Sequence, residues 1–471
     1  MKKFLQITIP ILSIIICLFY VNAGNNVWTQ LVSNTGILWS VKASGDLIIT
    51  GSQTQGIWRS TNGGVNWATS NTGLNALIIN AVGIAASSPN IVYCGTGVAG
   101  GQGMYKSTDA GVTWTQINSG ITQSPQAVQW ISVNPTNPNN VLIAVWDGTV
   151  AATDGIYQTT NGGANWFASN TGIVQKNILS LARNPIRPNT VYAGSSFDFT
   201  SQLGPVYIYK SYDGGYNWVE SDNGIPHTSA DINPIRCMSA SSGDTNVVLA
   251  ATFLNTVSGG IFITTNGGAL WTLKNTGAPN TQYTLYRGCF IRTGSSQEMY
   301  VGIDRAATGT NVKGIFRTLN QGNSWTDFTG GSLSNNFIVR QITMRTSPDS
   351  TLYACGADST TAGQGVFGYT FNPLGIHNPG INIPKDFSLY QNYPNPFNPT
   401  TTILYDLPKN EVVSINVYDL TGKMVKTILN ESKQAGSYSV TFDASSLSSG
   451  VYFYKIIAGS FVDTKKMILV K

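Results

Sequence analysis

The chain has 471 residues, of which only 10% are charged, with a net charge of +5, 50 glycines and 11 tryptophans. So weak a positive excess over this length, with no Lys/Arg run, argues against a nucleic-acid partner, and scarce charge with many turn residues and aromatics suits a rigid all-β secreted protein. Cys94, Cys237, Cys289 and Cys355 lack CxxC spacing or companion histidines, so no metal site and no cofactor are expected.

Met1-Lys2-Lys3 opens an apolar stretch that runs to Tyr20, and Val21-Asn22-Ala23 has the small-residue spelling of a signal-peptidase site. Residues 1–23 are therefore predicted to be a signal peptide, leaving Gly24 first. Ile16 stands where a lipoprotein signal needs a small residue before Cys17, which argues against lipidation there. No later stretch is apolar and long enough to span a bilayer as a helix, so no transmembrane segment is expected after signal removal.

Val27-Trp28-Thr29-Gln30 reads as an outer strand with no partner strand before it. Then a box recurs: STNGGVNW ending at Trp67, STDAGVTW at Trp114, TTNGGANW at Trp166, SYDGGYNW at Trp218, TTNGGALW at Trp271 and TLNQGNSW at Trp325. Asp or Asn at its third position can hydrogen-bond the turn backbone, Gly supplies positive φ, and Trp opens the next strand with a large apolar surface. Each box is predicted to be a stapled β-hairpin. From Trp to Trp the spacing is 47, 52, 52, 53 and 54 residues, the period of a four-stranded propeller blade.

In the unit after Trp166, strand a is predicted at Ile178–Arg183, b at Thr190–Gly194, c at Tyr207–Ser211, and d from Trp218. Near the end, Leu352–Cys355 and Gly365–Tyr369 read as b and c strands without a Trp-bearing d strand, which Val27–Gln30 would supply. The expected fold is therefore all-β: a seven-bladed β-propeller over residues 24–376, closed by its own N-terminal strand so that no sheet edge is left open between the ends. The repeat resembles the Asp-box (BNR-type) propeller repeat shared by bacterial sialidases, xyloglucanases, sortilin-like receptors and a photosystem-assembly factor. Such a resemblance implies fold far more than function.

Residues 377–386 read as a linker, and from Phe387 the text runs FSLYQNYPNPFNPTTTILYDLP, INVYDLTGKMVKTI and GSYSVTFDASSLSSGVYFYKI to TKKMILVK. Alternating apolar positions broken by turns predict a small immunoglobulin-like β-sandwich over 387–471. These motifs closely resemble the C-terminal sorting domain of type IX secretion cargo, which implies handling by that machinery and a secreted or outer-membrane surface-attached product.

In a propeller the boxes lie on the face opposite the d–a and b–c loops, so Asp109 and Asp213 are read as structural. Aligning the inner strands places Trp39, Asn80, Gln129, Leu179, Arg236, Arg287 and Arg340 at one equivalent position. The last three are arginines on consecutive blades. They would form an anion clamp, since guanidinium binds carboxylate, sulfate or phosphate bidentately, or else would pack their stems between blades. The arginines invite comparison with the sialidase triad, but Glu220 and Glu298 are the propeller's only glutamates, and the Phe-Arg-Ile-Pro motif of that family is absent.

A carboxylate-pair glycosidase remains the alternative, with Asp147, Asp198, Asp231, Asp304 and Asp358 expected in binding-face loops. His227 is the propeller's one histidine, which argues against Ser-His or His-cluster catalysis. No catalytic residue is assigned. Trp39, Trp130 and Trp146 join Arg236, Arg287 and Arg340 as candidate ligand-binding residues, with Phe197, Phe199, Tyr283 and Tyr286 as further aromatics near the loop face, suited to a glycan or a protein. The four cysteines are read as small buried hydrophobes, with a Cys237–Cys289 disulfide as the alternative.

Overall fold

The computed structural model describes residues 27–97, 101–122, 127–146, 153–196, 206–226, 233–254, 259–279, 284–305, 314–334, 337–346, 350–358, 364–371, 386–392 and 395–470. The expected signal peptide, residues 377–385 of the expected linker, and Asp147, Phe197, Asp198, Phe199, His227, Asp231 and Tyr283 lie outside the described residues.

Seven four-stranded antiparallel sheets follow one another along the chain. Their innermost strands a are Leu38–Ser44, Ile79–Ile84, Val128–Val133, Ile178–Arg183, Ile235–Ala240, Leu285–Ile291 and Phe337–Arg345, which number the blades 1 to 7. Blade 4 continues with Val191–Ser195, Ile208–Ser211 and Val219–Glu220, so strands a, b and c fall within a residue of their predicted positions. Strand d differs: it is two residues long and begins after Trp218, whose backbone amide donates to the Thr171 carbonyl of the preceding blade's exit turn at 2.9 Å.

A second bond from the same residue repeats around the ring. The indole N–H groups of Trp114, Trp166, Trp218, Trp271 and Trp325 donate to the carbonyls of Ser70, Ile117, Ser169, Ser221 and Lys274, each just past the outer strand of the preceding blade, at 2.6–2.9 Å. Trp28 does the same for blade 7, donating to the Phe328 carbonyl at 2.8 Å. The glycine of the exit turn belongs to the same joint. Gly172 has φ +89°, and a Cβ there would collide with the Trp218 carbonyl oxygen, so neither the backbone angle nor the space admits a side chain.

Within the boxes the third residue acts as read from sequence. The Asp213 Oδ1 accepts from the Asn217 amide at 3.0 Å and from the Ser211 hydroxyl at 2.8 Å, while the Ser211 Oγ accepts from the Gly215 amide at 2.8 Å.

The ring closes as expected. Thr29–Val32 pairs antiparallel with Gly365–Phe371 and becomes the outer strand of blade 7. Across the seam to blade 1, the indole of Trp67 donates instead to Gly64 of its own box at 2.9 Å. Other bonds hold that joint: Arg345 Nη1 to Asp46 Oδ1 at 2.9 Å, and the Val41 amide to Gln341 Oε1 at 2.8 Å.

All four cysteines are buried thiols. The C-terminal segment forms two further antiparallel sheets, Ser388–Leu389, Thr400–Leu407 and Gly436–Asp443 in one, and Met424–Lys433, Glu411–Tyr418, Gly450–Ala458 and Phe461–Leu469 in the other. Its core is its own, built on Ile403, Tyr405, Val413, Ile415, Tyr454 and Ile456. Among the described residues no helix is long and apolar enough to cross a membrane.

Candidate functional site

Every inner strand carries a register shift near its start: between Leu38 and Ser40, Ile79 and Ala81, Val128 and Trp130, Ile178 and Ser180, Ile235 and Cys237, Tyr286 and Gly288, and Val339 and Gln341. The extra residue in each shift is Trp39, Asn80, Gln129, Leu179, Arg236, Arg287 or Arg340. A β-bulge leaves that residue out of the ladder and re-aims its side chain. All seven line one small cavity of about 40 Å³ at the d–a end of the channel. The sequence alignment found the ring of positions, while the bulge that makes them converge left no sequence signal of its own.

The ring is chemically lopsided. Blades 5, 6 and 7 contribute arginines, blade 1 an indole, blades 2 and 3 side-chain amides, and blade 4 an apolar Leu179. The guanidinium carbons of Arg287 and Arg340 lie 4.5 and 4.3 Å from the Trp39 ring centroid, cation–π distances that hold both groups against one aromatic surface. The indole N–H of Trp39 is buried and has no hydrogen-bond partner among the described residues.

Asp304 was expected in a loop and lies instead near the end of strand b of blade 6, 6% exposed. Its Oδ2 accepts from Arg340 Nη1 at 2.6 Å and stands 3.5 Å from Arg287 Nη1. Two of the three arginines thus already share an anion, which sequence reasoning missed because Asp304 and Arg340 sit on different blades. Among the described residues, Asp304 is the carboxylate that joins Arg287 and Arg340 at the mouth. Asp358, also expected in a binding-face loop, ends strand b of blade 7.

Trp130 was expected near the loop face and lies inside the channel. It is one residue past its bulge, where five of the other six blades carry Ser40, Ala81, Ser180, Cys237 and Gly288, and small neighbours leave room for one large ring. It packs against the core beneath blades 3 and 4 and also against that beneath blades 5 and 6, and lines the mouth cavity on one side and a second, deeper cavity on the other. Trp146, proposed with it, is 8% exposed and outside the mouth lining; its carbonyl accepts the Gln129 side chain at 2.8 Å. Tyr286, also expected near the loops, is fully buried, with its hydroxyl on the Pro279 carbonyl.

The two propeller glutamates are elsewhere. Glu220 is exposed on an outer strand. Glu298, in the a–b turn of blade 6, accepts from Arg292 at 2.7 Å and Arg317 at 2.6 Å and pairs with the Tyr300 hydroxyl. Burial alone would raise its pKa, but Arg292, Arg317 and Tyr300 outweigh burial and hold it below the usual glutamate value.

A carboxyl whose folded pKa is depressed stabilises the fold fully above its unfolded pKa, about 4.3, and loses that contribution as pH falls through the folded value. Glu298→Gln is therefore expected to cost about 2 kcal/mol at pH 7, since both arginines lose their anion. Urea unfolding at pH 7 and pH 3 checks this: the gap between wild type and variant should shrink in acid, and an equal gap at both pH values would refute it.

Residues 391–471 match the secretion system C-terminal sorting domain family. The chain therefore carries a tail that directs its export by type IX secretion to the cell surface or the extracellular space. No curated protein sequence matches the chain. Among solved structures it is similar to YCF48 bound to a D1 peptide, at 15% identity and TM-score 0.49, covering 73% of this chain and 94% of that one. It is also similar to a GH74 xyloglucanase from Xanthomonas campestris, at 14% identity and TM-score 0.38, covering 78% of this chain and 60% of that one. A GH74 enzyme from Niastella koreensis gives 15% identity and TM-score 0.32 with the same coverage.

Proposed function

We propose that the exported protein works outside the cell as a non-catalytic propeller of the Asp-box (BNR) type. It takes the acidic group of a glycan or protein at the channel mouth, with residues 24–376 as the working part and 387–471 as the export part. The observation that carries this reading is the shared cavity of Arg236, Arg287, Arg340 and Trp39 on a chain otherwise poor in charge. An arginine cluster recognises carboxylate, sulfate or phosphate by charge-assisted, bidentate hydrogen bonds. The indole adds an apolar surface for the ring or chain that bears the acid.

The test is a glycan array of neutral, carboxylated and sulfated saccharides probed with the whole secreted protein at low and high salt. Hits are expected among acidic saccharides only and should weaken as salt screens the exposed part of the contact. Binding confined to neutral glycans would overturn the reading. Release of reducing ends from any bound glycan would favour an extracellular glycoside hydrolase instead.

A further inference from the structure

We propose that the opposite, a–b end of the channel is a second binding site, for a small amphipathic carboxylate held by the Lys42 ammonium. This site is separate from the arginine mouth and does not depend on it. Three residues beyond Trp39, the inner strand of blade 1 presents Lys42; the corresponding positions on four other blades are Gly83, Ser132, Ala182 and Ser239. Small residues at this level leave space, and a cavity of about 270 Å³ opens there, closed towards the mouth by Trp130 and walled by Leu181, Met238, Phe290 and Ile342. That volume approaches the lower end of ordinary ligand sites.

Among the described residues, the lining carries two cations, Lys42 and Arg183, and no carboxylate. Arg183 is committed, with Nη1 donating to the Pro188 carbonyl at 2.8 Å and Nη2 to Asn140 at 3.2 Å. Lys42 makes no hydrogen bond or ion pair among the described residues, and its Nζ lies 5.8 Å from the Trp130 ring centroid. The thiols nearest it, Cys289 and Cys355, are not counter-anions, because burial pushes both pKa values up, that of Cys355 to about 12. Burial in turn lowers the pKa of Lys42.

An ammonium in an apolar recess without an anion costs free energy, and a bound carboxylate removes that cost while its hydrocarbon covers the walls. Carboxylate at one end and an apolar body at the other is the ligand chemistry that satisfies both.

The experiment compares octanoate with octan-1-ol by calorimetry on the whole protein. Octanoate is expected to bind at least about tenfold more tightly, the scale of one charge-assisted hydrogen bond. Lys42→Met should abolish that preference and leave octanol binding unchanged, whereas Arg236→Ala at the mouth should leave octanoate binding as it is. Should the methionine variant fail to fold, the wild type decides: saturating octanoate should protect Lys42 from acetylation by acetic anhydride, read by peptide mass spectrometry. Equal affinity for the two probes, a preference that survives Lys42→Met, or undiminished acetylation of Lys42 would each overturn the proposal. Loss of octanoate binding in the mouth variant would also overturn it, by placing the ligand at the other site.

Discussion

Deleting Trp28 to Val32 is expected to lower the unfolding free energy of the propeller by more than any single substitution in a box, by at least about 4 kcal/mol. Trp28 is 1% exposed and packs edge-on against Phe328 at 6.0 Å and against Tyr369 at 5.6 Å. Truncating a buried aromatic of this size costs about 3–5 kcal/mol by itself. Its indole bond to Phe328 and its carbonyl, which accepts from the Ser332 amide at 2.7 Å, are part of the blade 6 to blade 7 joint, beside the packing of Tyr300 and Ile315 against Phe337, Val339 and Ile342. The deletion also strips the ladder from Gly365–Phe371 and leaves an open edge.

Trp28→Ala should reproduce the packing part of this loss with the strand still present. Trp28→Phe should lose the indole bond and part of the buried area, at about 1–3 kcal/mol. Urea titrations of the three variants, with limited proteolysis of the deletion, measure the effect. A deletion with an unchanged midpoint and unchanged protease resistance would mean that the N-terminal strand does not close the ring.

Substitution of the arginines should separate ligand binding from stability. Arg236→Ala is expected to weaken binding of an acidic saccharide by about 1.5–3 kcal/mol, the worth of a hydrogen bond to a charged group, which is roughly 10- to 150-fold, with little change in the unfolding midpoint. Arg340→Ala should lose both. Its side chain is 14% exposed and holds the nearly buried Asp304 at 2.6 Å, so its removal leaves that carboxylate only the longer contact to Arg287, and uncompensated buried charge destabilises a fold. Calorimetry for binding and urea unfolding for stability read the two effects side by side. Undiminished binding when all three arginines are replaced would leave them as structural groups.

Much of the architecture was legible from the residues because it rests on local chemistry. The box, with Asp or Asn to cap the turn and Gly to supply positive φ, is decided within eight residues. A period near fifty, counted between tryptophans, follows from four short strands per unit, and the orphan strand at Trp28 pointed to the incomplete last blade. The sorting tail was legible for the same reason, since its motifs are contiguous.

The site depended on contacts between residues far apart in sequence. Strand alignment put Trp39 and the three arginines at one level, but a bulge is a mismatch between two strands and cannot be seen in either alone. Asp304 bonds Arg340 across a blade interface, 36 residues away, and nothing in the local spelling of Gly302-Ile303-Asp304 marks it as a partner. Trp130 reads as one more aromatic near a loop; only the small residues at the same level of other blades let its ring lie within the channel. The arginines' partner, the indole's position and the second cavity with its lysine were therefore decided by the closing of the ring, because closure alone sets which side chains from seven separate strands compete for the space around one axis.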